Sequence, residues 1–320
     1  MSSSSTLSAD SYVTLNSGHR MPVIGFGLYK SSDAPNSCNA ALTAGYSHFD
    51  SARLYENEAA LGQVVRDRVK DRHSVFLTTK VRAPEHGYEP CMNAIKDSVA
   101  YPKPDYWDLI LLHDPTAGSK KRIEAYRALA DALKEGKTKS IGVSNFGVDH
   151  LKELEAAEVG PLPAVNQVEL HPWCQQRWIV DYCQSKGIVI QAYCPIVRGK
   201  YMDDPTLVSI CNKVGKTGAQ VLIRWSLQHG YIPLPKSDHA ERIEENLNVF
   251  SFELDPESMA KLDALDLGDA GGTSDGIIAR LSQFFYGDLT SPQSQRLSQW
   301  LNPPEHSQRK HMIYTKMGSC

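Results

Sequence analysis

Short apolar runs recur along the chain, and each is followed by a polar stretch with the spacing of an amphipathic helix. The runs are about five residues long and almost continuously hydrophobic, which is typical of parallel strands buried on both faces. They lie at 23–27, 47–50, 75–80, 109–113, 140–144, 164–168, 189–193 and 232–236. Intervening segments such as 120–136 and 148–158 are long enough for the helices that connect parallel strands.

Eight strand–helix units within roughly 250 residues predict an α/β fold, the (β/α)8 TIM barrel. An open, doubly wound sheet is the alternative, but it calls for a GxGxxG turn after the first strand, and Gly25-Phe26-Gly27 lacks the third glycine. The segment 12–21 contains a turn with a glycine and predicts an N-terminal β-hairpin. The predicted parts are a flexible N-terminus at 1–11, the barrel with its hairpin at 12–267 and a C-terminal extension at 268–320.

The strand–helix pattern stops at about Gly268. Residues 271–274 predict a flexible joint, and 303–320 are polar and irregular. The aromatic cluster at 284–286 has two interpretations, since it either covers the mouth of the barrel or packs beside it. The sequence therefore does not decide the structure of the extension.

Composition excludes several classes of function. The net charge is -3 with 22% charged residues, so we expect no nucleic-acid partner. The seven cysteines are scattered and never spaced as CxxC, which predicts neither a disulfide framework nor a metal site. The N-terminus has no basic and apolar leader, and no apolar run reaches the ~20 residues that span a bilayer. We expect a soluble, cytoplasmic protein without a membrane partner.

Polar residues end three of the predicted strands. Asp50, Lys80 and His113 stand at these ends, and Tyr55 follows the first of them. Each has an ordinary structural explanation, as a helix-capping Asp, a surface Lys or a packed ring. In a barrel, however, these strand ends meet at one rim. A phenol with a pKa near 10 is a poor acid at neutral pH. We expect Lys80 to lower the pKa of Tyr55, Asp50 to keep Lys80 charged, and His113 to orient a carbonyl oxygen.

Several longer motifs extend this pattern from about residue 12 to residue 267: FDSARLYENE, LTTKV, LILLHDP, IGVSNF, VNQVELHPW, AYCPI and IPLPKSDHAERIEEN. With these motifs the chain resembles the aldo-keto reductases, a family of NADP(H)-dependent barrels. It is most similar to the fungal and bacterial subgroup with a short loop after the seventh strand, which includes reductases of sugars, keto-sugar acids and small aldehydes or ketones. The resemblance implies that Asp50, Tyr55, Lys80 and His113 are the catalytic tetrad.

The resemblance also implies a set of cofactor contacts. The nicotinamide end would be held by hydrogen bonds to the carboxamide and by a stacked ring, from Ser144, Asn145, Gln167 and Tyr193. The 2′-phosphate and adenine would be held by Lys236, Ser237, Arg242, Glu245 and Asn246. Polar side chains inside a barrel need partners, which an amide ligand would supply. Asp238 would weaken the preference for NADPH, so use of NAD(H) as well as NADP(H) stays open.

By the same resemblance, Tyr29, His113 and Trp173 line the mouth and contact substrate. Tyr29 stands where the family often has Trp, so no particular substrate is inferred. The sequence thus predicts a monomeric carbonyl reductase for a small molecule, with Tyr55 as general acid. The alternative is a non-catalytic relative that binds the cofactor in a regulatory role. A barrel hydrolase or aldolase is disfavoured, because Asp50 pairs with Lys80, the only candidate for a Schiff-base lysine.

Overall fold

The computed structural model describes residues 7–273, and the predictions for 1–6 and 274–320, including the aromatic cluster at 284–286, lie outside the described residues. The first two strands, β1 (Tyr12–Thr14) and β2 (Arg20–Pro22), form the predicted antiparallel hairpin. Residues 7–11 precede it in a turn. The division of the chain at residues 11/12 and 267/268 stays a prediction.

Eight parallel strands then follow in the order of the sequence, each beside the next. They are β3 (Phe26–Gly27), β4 (His48–Asp50), β5 (Phe76–Val81), β6 (Trp107–Leu112), β7 (Thr138–Ser144), β8 (Val165–Glu169), β9 (Val189–Tyr193) and β10 (Ile232–Pro233). Every predicted apolar run overlaps one of these strands, so the eightfold prediction is confirmed.

The sheet curls until its last strand meets its first. The Gly25 amide donates to the Pro233 carbonyl at 3.0 Å, and the Gly27 amide donates to the Pro235 carbonyl at 2.9 Å. These bonds close the barrel. Gly25 is required here, because a Cβ at this position would lie 2.7 Å from the His48 ring inside the barrel.

Helices surround the described part of the barrel. They are α1 (Ala34–Ala44), α2 (Glu58–Arg68), α3 (Tyr88–Ser98), α4 (Ser119–Lys134), α5 (Val148–Ala157), α6 (Arg177–Ser185), α7 (Pro205–Val214), α8 (Gly218–Gln228), α9 (Ala240–Leu247) and α10 (Pro256–Asp263). Their apolar sides and the outward sides of the strands form one hydrophobic core. Within residues 7–273, no helix combines the length and the apolar character needed to cross a bilayer.

The hairpin covers the N-terminal end of the barrel. Asn16 donates to the Leu162 carbonyl at 3.1 Å, and the Ser17 hydroxyl lies 2.7 Å from that of Ser140 near the start of β7. Met21 of the hairpin is fully buried. Because one end is covered in this way, the site must be sought at the C-terminal ends of the strands, where barrel enzymes carry their chemistry.

The start of the C-terminal extension is attached to this C-terminal end. Residues Gly268–Gly271 form a 3₁₀ turn, and Gly271 packs so tightly that a Cβ would overlap the Trp173 carbonyl. The Thr273 amide and hydroxyl both donate to the Glu169 carboxylate, at 2.6 and 2.7 Å. The predicted flexible joint is therefore held against the barrel over its described part, because β8 supplies a buried acceptor that the local sequence does not reveal.

Candidate active site

The turn after β4 positions two of the four predicted catalytic residues. Asp50 ends the strand, and Tyr55 ends a short 3₁₀ turn that follows. The Ser51 hydroxyl donates to Asn57 Oδ1 at 2.6 Å, and Asn57 Nδ2 donates to the Leu28 carbonyl at 3.0 Å. These buried bonds fix the turn from both sides. They hold the phenol at the barrel rim although no regular helix or strand contains it.

A second set of bonds anchors the start of α2. The Glu58 carboxylate is buried and accepts from the Thr79 hydroxyl at 2.6 Å and from the Ser98 hydroxyl at 2.9 Å. Arg53, within the 3₁₀ turn, pairs with Glu85 at 2.9 Å. The turn that carries Tyr55 is therefore tied to β5 and to its following loop. Sequence reasoning did not assign these supporting roles, because the motif FDSARLYENE contains Arg53 and Glu58 but does not show which distant residues they contact.

The structure brings the predicted tetrad together. Lys80 is fully buried, and its Nζ lies 2.5 Å from Asp50 Oδ1, 2.9 Å from the Ser51 carbonyl and 3.3 Å from the Tyr55 hydroxyl. The His113 ring stands edge-on to the Tyr55 ring, with 5.6 Å between their centroids. An ammonium group thus donates to the phenol while a carboxylate holds that ammonium group in place.

Burial decides the protonation state of these groups. It raises the pKa of Tyr55 well above 10, and the Asp50 carboxylate raises it further. Burial lowers the pKa of Lys80, and Asp50 opposes that shift. Burial, followed by the charge of Lys80, lowers the pKa of His113 to about 3. The expectation that the pKa of Tyr55 lies below its usual value was wrong. Desolvation raises this pKa by more than the neighbouring Lys80 cation can lower it. The site holds a neutral phenol and a neutral imidazole.

A chain of polar side chains crosses the barrel interior below the ion pair. Gln167 Nε2 donates to Asp50 Oδ2 at 2.8 Å and to Gln191 Oε1 at 2.8 Å. Because β4 and β8 are not neighbours in the sheet, the first of these bonds must pass through the interior. Gln191 in turn lies 3.5 Å from His48. The carboxylate that holds Lys80 is therefore oriented from a second side.

The residues assigned to the nicotinamide end already have protein partners. Asn145 Nδ2 donates to the His113 carbonyl at 3.0 Å and to the Ser144 hydroxyl at 3.1 Å. The Tyr193 hydroxyl donates to Asn145 Oδ1 at 2.8 Å. Contrary to the expectation from the sequence, these groups do not need an amide ligand as partner, because they satisfy one another. The bond to Asn145 fixes the position of the Tyr193 ring at the end of β9.

The residues assigned to the phosphate lie in the loop after β10 and on the first turn of α9. Lys236 is partly buried, Ser237 is buried and Arg242 is exposed on the first turn of α9. The Ser237 hydroxyl accepts from the His239 amide at 3.1 Å at the start of that helix. Two cations beside a helix N-terminus have the chemistry of a phosphate site.

Asp238 takes part in a different set of contacts. Its carboxylate accepts from Lys236 at 2.7 Å and from hydroxyl groups that precede and begin α1, those of Ser31, Ser32 and Ser37. Burial alone would raise the pKa of Asp238, but the bond from Lys236 and then the serine bonds outweigh it and hold that pKa well below its usual range. Asp238 is therefore an ionised partner of Lys236.

The two residues assigned to adenine differ in exposure. Glu245 lies on α9, where its Oε1 accepts from the Thr217 hydroxyl at 2.7 Å. Asn246 is buried. Their adenine contacts stay predictions, since their described contacts are within the protein.

Of the predicted substrate residues, Tyr29 and His113 lie with the tetrad. The Tyr29 ring is 39% exposed and its centroid is 5.0 Å from that of Tyr55. Trp173 differs from the prediction, because it is only 3% exposed and stacks on Tyr201 at 4.5 Å beneath Gly271. The attached start of the extension explains its burial.

Two cations at this rim were not predicted. Lys30 Nζ lies 5.2 Å from the centre of the Tyr29 ring, and the Arg198 guanidinium lies 5.8 Å from the same centre. Lys30 directly follows Tyr29, whereas Arg198 comes from the loop after β9. No motif in the sequence singles them out, since only the fold brings that loop to Tyr29.

Comparisons with known proteins identify the family. Residues 25–267 match the model of the aldo/keto reductase family. Glyoxal reductase of Bacillus subtilis is 40% identical over 264 residues, which cover 81% of this chain and 94% of that protein. The chain belongs to the aldo/keto reductase family. It is therefore an oxidoreductase built on a (β/α)8 barrel.

Solved structures support the same assignment. An aldo-keto reductase from a deep-sea metagenome library of the Medee basin has a TM-score of 0.77 and 36% identity, over 81% of this chain and 96% of that chain. A Bombyx mori aldo-keto reductase in complex with NADP has a TM-score of 0.76 and 30% identity, over 84% of this chain and 96% of that one.

Proposed function

We propose that this protein is an NADPH-dependent carbonyl reductase that converts an aldehyde or ketone into an alcohol, with Tyr55 as the general acid. The observation that supports it most is the buried Lys80 ammonium, which is bonded to Asp50 at 2.5 Å and to the Tyr55 hydroxyl at 3.3 Å. A packed structural tyrosine has no need of a buried cation, because burying an ammonium group is costly unless it is used.

In this proposal, each member of the tetrad has one task. The bound cofactor supplies the hydride, and the protein supplies position and a proton. Tyr55 is protonated and stands at the rim, where it donates its proton to the carbonyl oxygen. Lys80 donates a hydrogen bond to the phenol oxygen, which stabilises the negative charge that develops there. His113, as a neutral imidazole, orients the carbonyl oxygen from the opposite side.

The residues present fit NADP(H). Lys236, Ser237 and Arg242 would hold the 2′-phosphate, since they combine two cations with a hydroxyl at a helix N-terminus. Ser144, Asn145 and Gln167 would hold the carboxamide, with Tyr193 stacked on the ring. NADP in the Bombyx mori relative supports this choice. Use of NAD(H) depends on how far Asp238 offsets the charge of Lys236.

A non-catalytic, cofactor-binding role is the second candidate. It would be supported if the tetrad were incomplete or its members apart. The short contacts among Asp50, Lys80 and Tyr55 favour catalysis instead, because a binding role has no use for an acid held next to a cation.

The direct test is oxidation of NADPH with a panel of aldoses, aromatic aldehydes, diketones and keto-esters, for the wild type and for Tyr55→Phe. We expect turnover by the wild type and a loss of about 10²–10⁴-fold in kcat for the variant, the usual contribution of a general acid. NADPH affinity, measured by fluorescence, should be retained. Near-normal turnover by Tyr55→Phe would contradict the role of Tyr55. Tight NADPH binding without turnover on the whole panel would favour the non-catalytic role.

A further inference from the structure

Two exposed cations flank the aromatic ring that lies beside the proposed proton donor. The rings of Tyr29 and Tyr55 are 5.0 Å apart. Lys30 Nζ lies 5.2 Å from the centre of the Tyr29 ring and the Arg198 guanidinium 5.8 Å from it. Both side chains are exposed, so both are available to a ligand. The two cations therefore lie around Tyr29, which is itself in contact range of Tyr55, the proposed proton donor.

The backbone holds both cations there at some cost. Lys30 has a φ of 55°, and Val197 and Arg198 have φ values of 54° and 51° in succession. This left-handed conformation is unfavourable for residues other than glycine, and for a β-branched residue such as valine most of all. Such conformations persist where the surrounding structure imposes them, and they are concentrated at functional sites.

One carboxylate lies close by and has to be weighed against the cations. Glu169 is buried at the end of β8. Burial alone would lower the pKa of Arg198, but the Cys194 thiol and then the Glu169 carboxylate help to raise it above its usual value. Glu169 Oε1 accepts two bonds from Thr273 and lies 3.2 Å from His171 Nε2. Asp238 also lies near Lys30, since it accepts from Ser31 and Ser32, but it is paired with Lys236. Among these described groups, Lys30 and Arg198 together outweigh the single charge of Glu169.

We propose that the preferred substrates are aldehydes or ketones that carry an anionic group, a carboxylate or a phosphate, which binds to Arg198 while the charge of Lys30 adds to the attraction and the carbonyl lies at Tyr55. This inference rests on the proposed reductase function. Arg198 supplies the forked donors that suit a carboxylate or a phosphate, and Lys30 adds a second charge. The Tyr29 ring, which both cations approach, would contact the apolar part of the substrate.

The test compares matched pairs of substrates that differ in charge. One pair is para-carboxybenzaldehyde and its methyl ester, and the other is glyceraldehyde phosphate and glyceraldehyde. We expect the wild type to favour the anionic member of at least one pair by roughly 5- to 20-fold in kcat/KM, as a charge-assisted hydrogen bond would give. A preference within the benzaldehyde pair identifies the anion as a carboxylate, and a preference within the glyceraldehyde pair identifies it as a phosphate. The preference should shrink as salt is raised to about 0.5 M.

Variants then assign the preference to the two cations. Arg198→Gln, alone and with Lys30→Gln, should bring the ratio of kcat/KM for the anionic and neutral substrates close to one. Arg127→Gln, an exposed arginine on α4, is the matched control and should keep the wild-type ratio. Because the readout is a ratio within each protein, a general loss of folded enzyme does not affect it. A wild-type ratio near one for both pairs, or a ratio that both variants retain, would overturn the proposal.

Failure of this inference and failure of the reductase function give different results. Turnover of neutral aldehydes without charge preference overturns the inference and leaves the function. If no aldehyde is reduced, the function fails, and calorimetry with para-carboxybenzyl alcohol and its methyl ester, and with glycerol phosphate and glycerol, still decides the inference. Tighter binding of the acid than of the ester, or of glycerol phosphate than of glycerol, that is lost in Arg198→Gln supports the anion site. Equal binding within both pairs overturns it.

Discussion

At the scale of single residues, the bond between Lys80 and Asp50 contributes to stability and, in the proposed mechanism, to catalysis. Neither charge has access to bulk water, and each depends on the other. Breaking a buried ion pair leaves one charge unpaired and typically costs about 3–5 kcal/mol, whereas removing both charges is often neutral. The two contributions can therefore be separated by changing one partner or both.

We expect Lys80→Met to lower the free energy of unfolding by about 3–5 kcal/mol and to abolish most turnover, because it leaves Asp50 ionised and buried. Adding Asp50→Asn should restore most of the stability, since an amide oxygen can still accept from Gln167, but it should not restore turnover. Urea unfolding and NADPH oxidation measure the two effects. Lys186→Met, which breaks a partly exposed pair with Glu155, is the control and should cost at most about 1 kcal/mol. A double variant as unstable as Lys80→Met would refute this account.

The protonation states predict a flat pH profile for reduction. A proton donor must be protonated, so Tyr55 is active at every pH below its folded pKa, which burial places well above 10. His113 is neutral at every pH above about 3. At saturating NADPH we therefore expect kcat/KM to stay constant from about pH 5 to about pH 9. A fall of the rate with a midpoint between about pH 6 and pH 9, absent in Tyr55→Phe, would show that Lys80 lowers the pKa of Tyr55 after all.

At the scale of elements, Asp238 joins two loops that meet at the rim. It lies between β10 and α9, and the Ser31 hydroxyl that donates to it at 2.6 Å comes from a loop 207 residues earlier. The Ser37 hydroxyl on α1 adds a bond at 2.8 Å. The same carboxylate accepts from Lys236. A bound 2′-phosphate would compete with Asp238 for that ammonium group.

Asp238→Asn should therefore strengthen discrimination in favour of NADPH. Removing the negative charge frees Lys236 for the phosphate, and we expect the ratio of Kd for NADH to Kd for NADPH to rise by roughly 3- to 10-fold. Fluorescence titration with both cofactors measures this ratio. Asp149→Asn, on the first turn of α5, changes a remote exposed carboxylate and should leave the ratio as it is. A lower ratio in Asp238→Asn would mean that Asp238 positions Lys236 for the phosphate.

At the scale of the whole molecule, the repeating pattern was sufficient to predict the barrel. The run at 189–193 became a strand with the same bounds, and the strand-end residues Asp50 and Lys80 met as expected. These features follow from local periodicity and from the geometry that parallel strands impose.

What sequence could not predict depends on contacts between distant segments. The direction of the pKa shift at Tyr55 is set by burial, to which several elements contribute. Trp173 is buried because Gly271, far along the chain, packs on its carbonyl. Arg198 reaches Tyr29 only through the unusual backbone of its loop. None of these partners is encoded in a local pattern.

The closure of the barrel has a consequence for its motions. Within a strand, the N–H and C=O of one residue point to the same neighbouring strand. The carbonyls of Pro233 and Pro235 point towards β3, so the N–H groups at these positions would face β3 as well. Proline has no N–H, so β10 accepts from Gly25 and Gly27 but returns no bond. The β6–β7 pairing, in contrast, runs over five pairs of residues. The junction between β3 and β10 is thus the most weakly bonded of the ring among the described strands.

Brief separation of β3 from β10 should be the lowest-energy opening of the barrel. The amides of Gly25 and Gly27 are then expected to exchange hydrogen for deuterium at least about 100-fold faster than those of Ile110 and Val143, as mass spectrometry of the exchanged peptides would measure. Equal protection would contradict this view. Gly27 lies against Lys236. A ligand that immobilises this lysine should therefore slow the exchange of the Gly25 and Gly27 amides, because ligand binding would stabilise the closed barrel.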